Sequence, residues 1–119
     1  SIKKAKKSGK RALQNSAKYA FDRPEIFRMI GIYYWFIGSQ TKAIQFWSQS
    51  IKIAERFGAD FQLAKTYMEI GKRLCKGKNR FGKVMGITAG EYLEKAKSMF
   101  EEFGLEHELE ELDKIINYR

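Results

Sequence analysis

The chain has 119 residues, 44% of them hydrophobic, and carries 23 Lys/Arg against 14 Asp/Glu for a formal net charge of +9. That length and apolar content suit one compact domain or a short solenoid. They exclude a transmembrane helix, because the longest apolar stretch, residues 29–37, falls well short of the roughly 20 residues needed to cross a bilayer. The lone cysteine, Cys75, and lone histidine, His107, exclude an internal disulfide and a histidine-rich metal site, and point to a reducing, cytoplasmic setting.

Apolar spacing is helical throughout and there is a single proline, Pro24, so the chain reads as all-α with about six helices. The first predicted helix covers residues 2–19. Its apolar residues Ala5, Ala12, Leu13 and Ala17 are small and sparse, which suits a helix seeking a larger neighbour on one side. No secretory leader is visible, although residues 1–7 are basic. A charged helical pattern is already running at Ser1, so the chain is expected to be a piece of a longer protein. Asp22 and Glu25 have capping-box spacing, with Pro24 in the first turn, and predict the start of a second helix over residues 24–37. Gly38 ends it in a left-handed cap. The third helix starts at Ser39 or Gln40 and runs to Phe57, with Ala43, Phe46, Trp47, Ser50, Ile51 and Ala54 as its buried stripe and Gly58 as its stop. Asp60 predicts an N-cap for a fourth helix over residues 61–75, with Leu63, Ala64, Tyr67, Ile70, Gly71 and Leu74 inward.

A Gly- and Lys-rich loop is predicted over residues 76–87. Thr88 and Glu91 form a second capping box and open a fifth helix that runs to Phe103, burying Tyr92, Leu93, Ala96, Met99 and Phe100; Gly104 ends it. The last helix, residues 106–118, sets Leu109, Leu112, Ile115 and Ile116 on one face and acidic residues opposite.

Charge is unevenly placed. Residues 1–90 hold 19 Lys/Arg against 5 Asp/Glu, residues 91–119 hold 4 against 9, and residues 1–20 hold seven basic side chains and no acidic one. Such a field attracts nucleic acid, acidic membrane or an acidic protein surface. The favoured reading is simpler, a solvated helix face that has lost a neighbour.

A size code repeats along the chain. Phe27, Ile30, Gly31 and Tyr34 recur forty residues on as Tyr67, Ile70, Gly71 and Leu74. Ala43, Trp47, Ser50 and Gly58 recur forty-six on as Ala89, Leu93, Ala96 and Gly104. Small residues stand where two helix backbones approach, and large ones fill the gaps around them. On these residues the chain resembles the tetratricopeptide repeat, whose first helix carries a large residue, Leu-Gly and Tyr, and whose second carries Ala, an aromatic and Ala. Residues 24–57 match nearly every position, with Ser50 for Ala. Residues 64–103 match less well: Leu74 replaces Tyr, the spacing is 40 instead of the usual 34, and the usual proline is absent at Glu55.

A narrower resemblance runs over residues 10–113, through Tyr19-Ala-Phe-Asp-Arg-Pro, Gly31-Ile-Tyr-Tyr-Trp, Ile53-Ala-Glu-Arg-Phe-Gly and Tyr67-Met-Glu-Ile-Gly-Lys-Arg. This is similar to the C-terminal helical region of large bacterial signalling proteins that join a nucleotidyl cyclase or protein kinase module to a signalling ATPase domain. The resemblance implies a right-handed α-α superhelix forming a single domain over residues 1–119. In it, residues 1–20 are the orphan helix of a preceding repeat, 24–57 one repeat, 61–103 a second repeat with a long turn at 76–87, and 106–118 a capping helix. It further implies that the first helix of each pair lines a concave groove. The groove-facing residues would be Arg28, Ile32 and Trp35 from one repeat and Lys65, Met68 and Lys72 from the next, a mixture of apolar anchors and positive charge suited to an acidic extended peptide or helix end. The competing expectation is that Ile32 and Trp35 pack against a preceding repeat.

No catalytic constellation is legible, and no cofactor or metal is expected. Gly77-Lys-Asn-Arg-Phe-Gly-Lys83 has P-loop spacing, but Val84 stands where Ser or Thr should reach magnesium, and a helix precedes the loop instead of a strand. Glu101, Glu102, Glu106, Glu108, Glu110 and Glu111 form an exposed acidic face, since Gly104 stands where a Glu-x-x-His metal motif would need its carboxylate before His107. The expected function is therefore non-catalytic protein binding or scaffolding within a larger cytoplasmic signalling protein, its partner a protein or peptide or other domains of the same chain. The alternative is a basic nucleic-acid-binding helical domain using Lys3, Lys4, Lys6, Lys7, Lys10 and Arg11 with Arg80 and Lys83. It lacks a recognised reading motif.

Overall fold

The computed structural model describes residues 23–76 and 81–117. The chain divides into two compact units with the boundary between Ala59 and Asp60. The predicted helix over residues 2–19 lies outside the described residues, as do Asp22, residues 77–80 and Tyr118.

The first unit pairs α1 (Pro24–Phe36) with α2 (Gln40–Phe57). The short link between them makes the helices antiparallel neighbours, and two cross-helix bonds confirm the register. The Ser50 hydroxyl donates to the Pro24 carbonyl at 2.8 Å, and the Trp47 indole N–H donates to the Arg28 carbonyl at 3.1 Å. Pro24 opens α1, where its missing N–H costs nothing. The expected capping box is not what starts the helix: Arg23 is the N-cap residue and caps with no side-chain bond, and the Glu25 carboxylate takes the Arg23 guanidinium at 3.3 Å. Glu25 thus stands one position too early for the box.

The centre of this unit is Trp47, fully buried and set directly over Gly31. Any Cβ at Gly31 would overlap the indole ring, so the absence of a side chain there is what lets the two helices close. Phe27, Ile30, Ala43, Ile51 and Ala54 complete the buried set. Phe46, expected to be buried, is half-buried instead and stacks on the rings of Phe27 and Tyr34, at 6.2 and 5.3 Å between centroids. Gly58 closes α2 with φ +65°, its amide bonded to the Glu55 carbonyl and the next amide, of Ala59, to the Ala54 carbonyl at 2.8 Å. That pair of bonds is the Schellman closure.

The second unit holds α3 (Asp60–Cys75), β1 (Lys83–Val84), β2 (Ile87–Thr88), α4 (Ala89–Glu102) and α5 (Glu106–Asn117). The size code repeats within it: Leu93 sits over Gly71, where an added Cβ would lie 2.7 Å from the leucine methyl and 3.2 Å from the Ala89 carbonyl oxygen. Ala64, Met68, Leu93, Ala96, Phe100, Leu112 and Ile115 form one cluster joining α3, α4 and α5, with Leu109, Met99 and Ile116 packed on it. The Thr88–Glu91 capping box is present in both directions. The Thr88 amide, and after it the hydroxyl, donate to the Glu91 carboxylate and hold it below the usual carboxylate range.

The structure is mostly helical, but not wholly. The expected loop contains an antiparallel ribbon pairing Lys83 with Thr88 and Val84 with Ile87. Its turn residues, Met85 (φ +54°) and Gly86 (φ +76°), are both left-handed, as a type I′ hairpin requires. Val84 is buried, and the Tyr92 hydroxyl donates to its carbonyl at 2.6 Å. Burial, with a smaller contribution from Tyr67, pushes the Tyr92 phenol up to about 12.

This bond makes a testable pH dependence. The folded form resists ionisation of Tyr92 relative to an ordinary phenol near 10. Its contribution is therefore full below pH 10 and is lost as pH rises through about 12. Chemical unfolding followed from pH 8 to 12 is expected to show the midpoint falling more steeply for the native chain than for Tyr92→Phe. At pH 8 that variant is expected to lose about 1–2 kcal/mol with the buried hydrogen bond.

Candidate functional site

Helical geometry divides α1 into three faces. Phe27, Ile30, Gly31 and Tyr34 turn to α2. Arg28, Ile32 and Trp35, the expected groove residues of the first repeat, share a second face and are all half-buried. Trp35 is not a free-standing anchor: its ring lies 5.5 Å from that of Trp47 at a 34° tilt, so the buried indole sets the position of the half-buried one. The Arg28 carbonyl is held by the same Trp47. One side chain thus fixes both the backbone and the aromatic edge of this face.

In the second unit, Lys65 and Lys72 stand two turns apart on α3 and are half-buried. The Lys65 ammonium lies 5.6 Å from the Phe61 ring centroid, a cation–π contact that orders the charge along the helix. The Lys72 carbonyl accepts from the Cys75 thiol at 3.4 Å. Met68 does not belong with them. It is 8% exposed and lies in the cluster with Ala64, Leu112 and Ile115. The physical reason is α5: its apolar stripe must be covered, and Met68, one turn beyond Ala64 on α3, continues the surface that covers it. Arg28, Ile32 and Trp35 are therefore brought together in one unit, and Lys65 and Lys72 in the other.

Several features were missed in the sequence. Thr66 is fully buried on α3, with no signal in its neighbours to mark it. Half-buried Glu69 and Arg73 form an ion pair at 2.6 Å on the same helix. The role of Tyr92 had a usable signal, because a buried tyrosine needs an acceptor for its hydroxyl.

The basic set proposed for nucleic acid falls largely outside the described residues: Lys3, Lys4, Lys6, Lys7, Lys10, Arg11 and Arg80 all do. Lys83 is exposed on β1. Gly82 and Lys83 lead into that strand, whereas a phosphate-binding loop would lead into a helix. On α5, exposed His107 pairs with Glu111 at 3.0 Å. Among the described residues no group of three or more His, Cys, Asp or Glu side chains is placed to hold a metal ion, and no helix is long and apolar enough to cross a membrane. Comparison of the chain with family models, with curated proteins and with solved structures finds no match.

Proposed function

We propose that this chain is a non-catalytic protein-binding module of tetratricopeptide type, a right-handed helical superhelix within a larger cytoplasmic signalling protein. Its ligand is an acidic peptide or helix end. The observation that carries the reading is the face of α1 where Arg28, Ile32 and Trp35 stand together, half-exposed and braced by Trp47. A rigid aromatic beside an aliphatic side chain and a guanidinium is the composition of an interface hot spot. The repeated closure of large side chain over glycine, Trp47 on Gly31 and Leu93 on Gly71, supports the repeat assignment. Lys65 and Lys72 add positive charge on α3 and favour the same sign of ligand.

The test is selection of peptides from a displayed random library by the full chain, followed by affinity measurement with a selected peptide. Enrichment of Asp and Glu around an apolar residue is expected. Arg28→Glu is expected to weaken binding at least tenfold, and Trp35→Ala about thirtyfold, in line with a hot-spot loss of about 2 kcal/mol. Selection without acidic enrichment, or an affinity indifferent to charge reversal, removes the reading.

A further inference from the structure

The second unit carries opposite charges on separate helix faces. On α3, Phe61, Lys65 and Lys72 lie within about 40° of one another around the helix axis. Phe61 is 40% exposed and both lysines are half-buried. On α5, Glu106, Glu110, Asp113 and Asn117 lie within about 60° of one another, and all four are exposed. This stripe is on the side away from Leu112 and Ile115, the residues that α5 buries. Among the described residues no ion pair uses Lys65, Lys72, Glu106, Glu110 or Asp113. A half-buried ammonium has given up part of its hydration, so a carboxylate brought beside it gains more there than in open water.

We propose that the α3 face of one copy of the chain binds the outer stripe of α5 of a second copy, with the two helices antiparallel. Lys65 and Lys72 are seven residues apart, as are Glu106 and Asp113. Each pair therefore spans about 10.5 Å of helix. Antiparallel pairing sets Lys65 opposite Asp113 and Lys72 opposite Glu106, with Glu110 between the two lysines. Four residues further along, in the same register, Phe61 meets the uncharged Asn117 and not a carboxylate. The antiparallel sense also sets the C-terminus of α3 beside the N-terminus of α5, where the two helix dipoles attract. The α1 face takes no part, so this inference and the acidic-peptide reading stand or fall separately.

Sedimentation equilibrium of the full chain tests it. The native chain is expected to associate with rising concentration, and remaining monomeric up to about 1 mM, where binding would be worth only about 4 kcal/mol, overturns the inference. Raising salt from about 0.1 M to about 1 M shortens the screening length from about 10 Å to about 3 Å. Association should weaken at least tenfold with it, and indifference to salt overturns the inference. Lys65→Glu with Lys72→Glu puts like charges face to face, as does Glu106→Lys with Asp113→Lys. Each double variant alone is expected to associate at least tenfold more weakly than the native chain, with unchanged circular dichroism. Mixing the two restores opposite charges at the contact and is expected to restore association. Native-like association of either variant alone, or a mixture no stronger than its components, overturns the inference. Arg28→Glu is expected to leave association unchanged, and a tenfold loss there would move the contact to the α1 face and overturn it as well.

Discussion

Gly31→Val is expected to destabilise the first unit by about 3 kcal/mol, at the upper end of what overpacking a core costs. The added carbons would meet the Trp47 indole, which is fully buried and has no free direction of retreat. Moving the ring breaks its hydrogen bond to the Arg28 carbonyl and shifts Trp35, which rests 5.5 Å away. The measurement is urea unfolding by circular dichroism, read beside peptide affinity, and both should fall. The matching change in the second unit, Gly71→Val, meets a flexible leucine at 2.7 Å and a backbone oxygen at 3.2 Å, and should cost less. A larger loss at Gly71 than at Gly31 contradicts this account of the two closures.

Trp47→Ala is the second large effect, about 4 kcal/mol by the loss of a large buried aromatic. It also removes the donor to the Arg28 carbonyl and the surface on which Trp35 rests. The two sites should couple strongly. With the indole present, Gly31→Ala creates an overlap. With the indole gone, the same change only replaces glycine by a better helix former and should stabilise by up to about 1 kcal/mol. A double-mutant cycle that returned simple additivity would show that the ring does not sit over Gly31.

The residues that were legible in the sequence share one property: their partners lie within a turn or are matched in size. Thr88 and Glu91 announce their capping box at a spacing of three. Glycine on one helix with a large residue on the next marked both helix closures, Gly31 with Trp47 and Gly71 with Leu93. What was not legible depended on more distant parts of the chain. Strands of two residues are too short to have a period, so Lys83, Val84 and Ile87 read as loop and Thr88 as a helix cap, and the buried Val84 and the Tyr92 hydroxyl show why the ribbon is held down. Met68 is chemically fit for either a groove or a core. Its burial is decided by α5, more than forty residues later. The helix start at Pro24 was found, but the Asp22–Glu25 box was not its cause. Of the expected groove residues, Arg28, Ile32 and Trp35 share one half-buried face of α1, whereas Met68 lies in the core of the second unit.

The two tryptophans of the chain, Trp35 and Trp47, both belong to the first unit and touch each other. Indole emission is therefore a private signal of that unit, whereas tyrosine emission is shared, with Tyr33 and Tyr34 in the first unit and Tyr67 and Tyr92 in the second. Excitation at the red edge of the ultraviolet follows the first unit alone through melting or ligand addition. At 5.5 Å the two rings share their excitation, so a ligand that touches Trp35 at the rim is read through the indole sealed in the core as well.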